Sequence, residues 1–175
     1  MLILAKTAMA ILLGFVLSII TGLILIPILK KFHIGQYVSH YIGERHLKKE
    51  GTPTMGGLIF IIPTITALAL LYLNKSIEMN HSLIILVFVF LAYAALGFID
   101  DYLKIKYHNN KGLSIISKLL IQMIIALIFF YIFMSNGGKS DLTITSLGIH
   151  LSLGWTFGLF ILFLLVGTSN AVNIT

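Results

Sequence analysis

Apolar residues fall in five long runs, at about 8–29, 56–73, 82–99, 114–134 and 152–171, and polar residues collect in the stretches between them. About 20 apolar residues, within a range of roughly 17–25, cross a bilayer as a helix. The pattern therefore predicts an all-α, polytopic integral membrane protein with about five transmembrane helices, forming one membrane domain over residues 1–175. Pro27 and Pro63 lie inside runs, where a membrane helix tolerates proline with a local kink. One polar stretch has its own pattern. LTITSLGIHLSL alternates in part, with Gly148 near its middle, and predicts a small β-hairpin at about 141–152.

Composition strengthens this reading. The chain is 58% hydrophobic and 10% charged, with a mean hydropathy of +1.03. Soluble domains carry about 25% charged residues, so a soluble core of this length could not hide so much apolar surface. The first run has no A-x-A-like cleavage site and exceeds a signal h-region, which predicts a retained span. Cysteine is absent, which excludes disulfides and leaves the redox compartment open.

Charge placement sets the orientation. Nine of the twelve Lys and Arg residues lie in two segments, 30–50 and 100–118, while the other two inter-run loops hold only Lys75 and Lys139. The positive-inside rule places the two basic segments in the cytoplasm and the N-terminus outside. With five spans, the terminal GTSNAVNIT returns to the cytoplasmic face. The basic charge reads as topology and attraction to anionic membrane lipids, not as a nucleic-acid surface.

Chemistry concentrates where the third run ends, in Asp100 and Asp101. A carboxylate in the bilayer centre costs roughly 2.5–3.5 kcal/mol on insertion scales and marks a functional candidate. Two adjacent carboxylates repel unless a proton, a lysine or a metal lies between them. If the helix continues past Ile99, Asp100 and Lys104 share a face, and Asp101 lies about 100° away. One carboxylate then meets Lys104 while the other points into a cleft. Either suits Mg²⁺, which takes one or two carboxylates plus substrate phosphates. The same residues also suit an acidic helix end at the headgroups, anchored by Lys104.

Two further segments carry candidates. In HLKKEGTPTMGG, Thr52 is placed to cap a helix beginning at Pro53, with Gly56 and Gly57 in its first turn. Free amides there, beside Lys48 and Lys49, would make an anion site. A plain capped span with positive-inside lysines accounts for the same residues. In the terminal segment, Asn170 and Asn173 lie three residues apart on one helix face. They could bond a polar substrate or bind helices together. The six histidines show no metal-ligand spacing.

These residues together resemble the phospho-N-acetylmuramoyl-pentapeptide transferase family, within the polyprenyl-phosphate N-acetylhexosamine-1-phosphate transferases. The matching segments are HLKKEGTPTMGG, LGFIDDYLKI, NKGLS with KLLIQ, and NAVNIT, and they run the length of the chain. The resemblance implies a Mg²⁺-dependent enzyme of the bacterial cytoplasmic membrane with its active face inward. It would move phospho-MurNAc-pentapeptide from UDP-MurNAc-pentapeptide to undecaprenyl phosphate, giving lipid I and UMP for peptidoglycan synthesis. By resemblance Asp100 is the base or nucleophile, and Asp101 is its partner near the metal. Lys49, Thr54, Lys104 and Asn173 fall on positions of the substrate pocket, with Lys118 more loosely aligned. Lys48, Thr52 and Asn170 beside them are read as substrate-binding from the residues themselves, and a homodimer is compatible with the family.

The chain departs from the family pattern in two ways. VSHYIGERH stands where the family carries an acidic-Gly-Pro pattern, and the family is about twice as long. The resemblance thus covers the N-terminal half, with a further metal ligand expected beyond Thr175 and no activity expected of this half alone. A related UDP-GlcNAc:polyprenyl-phosphate transferase is the near alternative. A small polytopic transporter is the alternative of another class; it would carry acids deep in several spans and an internal repeat.

Overall fold

The computed structural model describes residues 2–31, 54–107 and 112–174. Its elements are α1 (Leu2–Lys31), α2 (Leu58–Leu73), α3 (His81–Lys106), α4 (Ile115–Ser135), β1 (Asp141–Ile144), β2 (Ile149–Ser152) and α5 (Thr156–Ile174). The chain is an all-α polytopic membrane protein with one small hairpin. Its surface carries the signature of that class: Phe15 is 64% exposed, Ile115 86% and Phe163 78%. Apolar exposure on that scale suits lipid and not water.

Each apolar run becomes a helix, with adjusted ends. α1, α3 and α4 are long and apolar enough to cross a membrane, whereas α2 and α5 are shorter apolar helices. α2 has 16 residues, or about 24 Å at 1.5 Å per residue, against a hydrocarbon thickness of about 30 Å. α3 passes the end of its apolar run at Ile99 and continues to Lys106. α4 starts where Ser114 caps it, the Ser114 side chain accepting from Ser117 N at 3.1 Å.

The start of α2 differs from the expectation. Pro53 does not open it; the first helical residue is Leu58, after Gly57 at the cap, with no side-chain cap bond. Met55 explains the delay, since its φ of 64° lies in the left-handed region and breaks helix continuity. Tight-turn bonds then serve the first amides: Leu58 N to Met55 O at 3.1 Å, Ile59 N to Gly56 O at 3.1 Å and Phe60 N to Gly57 O at 3.0 Å. Thr52 lies outside the described residues.

The chain divides into two compact units. The first holds residues up to 79 together with 97–113. In it α1 packs on α2, burying Leu29, Pro63, Ala67 and Leu71. Gly22 lets the two helices approach, because a Cβ there would already touch Ile59 at 3.6 Å. Small residues serve this purpose in membranes, where lipid is as apolar as the helix surface. Near the opposite end of α1, Lys6 Nζ donates to Ser76 O at 3.2 Å.

The second unit holds residues 80–96 and 114–175. α4 packs on α5, with Phe157 set among Phe130 and Phe133 at ring separations of 6.3 and 5.9 Å. The expected hairpin is present. β1 and β2 are antiparallel, with Asp141 opposite Ser152 and Ile144 opposite Ile149. A 3₁₀ turn at Thr145–Leu147 joins them, and Gly148 closes it at φ 62°, a conformation that glycine adopts without steric cost.

Candidate functional site

The site grows from the last two turns of α3. Helical continuation past Ile99 places Lys104 one turn beyond both aspartates, at i+4 from Asp100 and i+3 from Asp101. Lys104 Nζ lies 2.7 Å from Asp100 Oδ2 and 3.0 Å from Asp101 Oδ1. The expectation that only one carboxylate meets the lysine is therefore corrected. Both do, because the long flexible ammonium stem centres its charge between two side chains that differ by one position. Of the compensations expected for adjacent carboxylates, a lysine is in place.

The remaining carboxylate oxygens are held by backbone. Leu113 N donates to Asp100 Oδ1 at 2.9 Å, and Met55 N donates to Asp101 Oδ2 at 3.1 Å. These donors come from 13 residues after Asp100 and from 46 residues before Asp101. Hydrogen bonds to an ionised acceptor are about twice as strong as neutral ones. The pair is thus fixed from three directions. Asp100 is buried, with a side chain 8% exposed, while that of Asp101 is 30% exposed.

From sequence the GTPTMGG turn is open to two readings, an anion site beside Lys48 and Lys49 or a plain capped span. The amide of Met55 instead holds the chain's own anion, Asp101, and the first amides of α2 are occupied by the turn. Thr54 is buried beside Met55. Lys48, Lys49 and Thr52 lie outside the described residues.

The donor set fits a hard cation in part. Among the described residues no group of three or more His, Cys, Asp or Glu side chains could hold a metal. Mg²⁺ retains several waters and commonly takes only one or two carboxylates, with phosphate oxygens completing its octahedron. Asp100 and Asp101 meet that minimum in number.

Other sequence candidates fall in the second unit. Lys118 lies in the first turn of α4, and its backbone amide bonds Ser114 O at 2.9 Å. Asn170 Nδ2 donates to Gln122 Oε1 at 2.7 Å and to Val166 O at 2.8 Å. Asn173 belongs to α5, but its side chain lies outside the described set. Gln122 was not singled out from the sequence. It is 1% exposed and also donates to Ser169 Oγ at 2.9 Å. Its only sequence signal is a lone amide within an apolar run.

The model of glycosyl transferase family 4 matches residues 82–175, more than half of the chain. The chain belongs to glycosyl transferase family 4. A signature described as phospho-N-acetylmuramoyl-pentapeptide-transferase signature 1 also matches residues 49–61. The phospho-N-acetylmuramoyl-pentapeptide-transferase of Bacillus subtilis (strain 168) is 39% identical over 165 residues, covering 94% of this chain and 51% of that protein. Those of Bacillus pumilus and Oceanobacillus iheyensis are 39% and 34% identical, covering 51% and 50% of their lengths. The chain spans about half the length of these relatives. For a family 4 protein, the matched segments fall on the site in an informative way. The signature carries Thr54 and Met55, and the family match carries Asp100, Asp101, Lys104 and Leu113.

Proposed function

We propose that this protein acts in phosphoryl-sugar transfer, moving phospho-MurNAc-pentapeptide from UDP-MurNAc-pentapeptide to undecaprenyl phosphate and yielding lipid I and UMP. One observation carries the reading. The turn that bears the transferase signature donates a backbone N–H to the aspartate pair of the family 4 segment. Two separately matched segments thus meet at one charged centre in a chain of membrane helices.

The chemistry asks for positioning and charge neutralisation more than for covalent work by the protein. An oxygen of the lipid phosphate attacks the phosphorus that bears the sugar. A phosphorus–oxygen bond forms as the diphosphate bridge breaks, and UMP leaves with the bridging oxygen. Asp100, with an oxygen on each of two donors, suits a fixed proton acceptor for the lipid phosphate. Asp101 is the more open carboxylate. Lys104 keeps positive charge beside both. Asp100 and Asp101 would hold Mg²⁺, and the bound ion would supply charge neutralisation on the diphosphate.

The active face is assigned to the cytoplasm of a bacterial membrane, on the basic loops that flank α2 and α3. Membership in the family leaves room for a related UDP-GlcNAc substrate, and the signature at 49–61 favours the muramoyl-pentapeptide one. The transporter reading gains no support, since α1, α2, α4 and α5 contain no aspartate or glutamate.

The test is Asp100→Asn in the whole protein. The amide keeps the shape and one acceptor but loses charge and basicity. General-base catalysis is worth about 10²–10⁴-fold. Lipid I formation is expected to fall at least about 100-fold while the protein still extracts and unfolds like wild type. Turnover near wild type would remove Asp100 from the mechanism.

A further inference from the structure

We infer that Gly112 is a positioning residue for Asp100, fixing the reactive carboxylate through the Leu113 amide; the inference rests on the transferase reading. Gly112 lies directly against the acid. A Cβ built on it would overlap the Asp100 carboxylate, meeting Oδ1 and lying 2.8 Å from Cγ. It would also lie 2.9 Å from the Asp100 backbone carbonyl oxygen. Real Cβ atoms do not approach so closely, so something must move.

A rotation of the Asp100 side chain cannot relieve this clash. The carbonyl belongs to α3 and is fixed by the helix. Any side chain at 112 therefore lifts the loop from the helix, and the Leu113 N–H leaves with it. That N–H is the donor to Asp100 Oδ1 at 2.9 Å. Asp100 would then lose the donor on Oδ1, and the backbone hold that sets its carboxylate plane against Lys104 would go with it. The requirement for glycine here is close approach, not an unusual φ.

Met55 plays the corresponding part for Asp101. Its N–H reaches Oδ2 at 3.1 Å, from a residue held at φ 64°. A non-glycine residue in the left-handed region persists only where its surroundings hold it there. Here the bond to Asp101 supplies such a hold. The two carboxylates are thus each set by one amide from a separate loop and share one lysine between them.

The experiment compares Gly112→Ala with wild type and Asp100→Asn in the whole protein, with sugar-nucleotide kinetics and hydrogen exchange. Misplacing a reacting group by about 1 Å can cost about 100-fold. Gly112→Ala is expected to lower kcat about 100-fold and to leave KM for the sugar nucleotide within about threefold. A side chain that merely bound substrate would raise KM instead. Exchange of the Leu113 amide, resolved to the single residue, is expected to quicken at least about tenfold in Asp100→Ala, with the Met55 amide much less affected. That comparison needs no variant at 112, so it decides even if Gly112→Ala fails to fold. Normal kcat in Gly112→Ala, or a Leu113 amide indifferent to Asp100→Ala, overturns the inference. An inactive Asp100→Asn beside a normal Gly112→Ala overturns the positioning role alone. A fully active Asp100→Asn overturns the transferase reading and, with it, the catalytic part of the inference.

Discussion

Lys104 settles a conflict that two adjacent aspartates create. Without it, two carboxylates one position apart would each raise the other's cost of ionisation. With it, one ammonium sits within 3.0 Å of both. Lys104→Met keeps the apolar stem and removes the charge. Truncating one partner of a buried ion pair costs about 3–5 kcal/mol. Lys104 is 28% exposed, and water offsets part of that loss, so about 1–3 kcal/mol is expected from thermal unfolding in detergent. Transfer activity should fall at least about tenfold, because the two carboxylates would lose the donor they share. Lys104→Met with unchanged stability and turnover would mean the lysine is only a headgroup anchor. At this scale the sequence revealed the participants but not all their pairings. An i,i+4 rule finds Asp100 with Lys104. No local rule finds Met55 N, 46 residues away, or the Leu113 amide.

The helices were legible because each apolar run is long and polar residues punctuate the runs. Their ends were legible only where the signal is local. Ser114 caps α4 as a serine at that place should. The start of α2 was misread, since Thr52-Pro53 is a sound capping pair taken alone, yet Met55 turns left-handed and its amide serves Asp101. Long-range bonding thus overrode a local preference. The same limit hid Gln122, whose amide joins α4 to α5 through Ser169 and Asn170. Gln122→Leu tests the weight of that link. Ser169 and one Asn170 N–H would keep their bonds to Val166 O within α5, and the other Asn170 N–H would lose its acceptor. Interhelical hydrogen bonds in membranes average about 0.6 kcal/mol and reach about 1.7. A loss of about 0.5–2 kcal/mol is expected in denaturant titration of the whole protein. A loss well above that range would show that Gln122 holds more than two helices together.

On the scale of the whole molecule, the ends of the helices of the first unit are tied in pairs. Met55, just before α2, bonds Asp101, near the end of α3. Lys6, near the start of α1, bonds Ser76, just after α2. A helix that crosses the bilayer separates its two ends by the membrane, so these bonds give an internal test of orientation. The turn before α2 and the end of α3 must share one side, and the start of α1 and the loop after α2 the other. Charge counting reaches the same division independently, because the segments 30–50 and 100–118 hold most of the lysine and arginine. The chain has no cysteine, so a single introduced cysteine is a unique reporter within residues 1–175. Cysteines replacing Lys75 and Lys139 should react with an impermeant maleimide added to intact cells. Cysteines replacing Lys48 and Tyr107 should react only in inverted vesicles or after permeabilisation. The proposed site requires the last two to behave alike, since sugar nucleotide arrives from the cytoplasm and the signature turn must stand beside the aspartates. Labelling of positions 48 and 107 from opposite sides would part the turn from the acids and leave no shared centre for phosphoryl transfer.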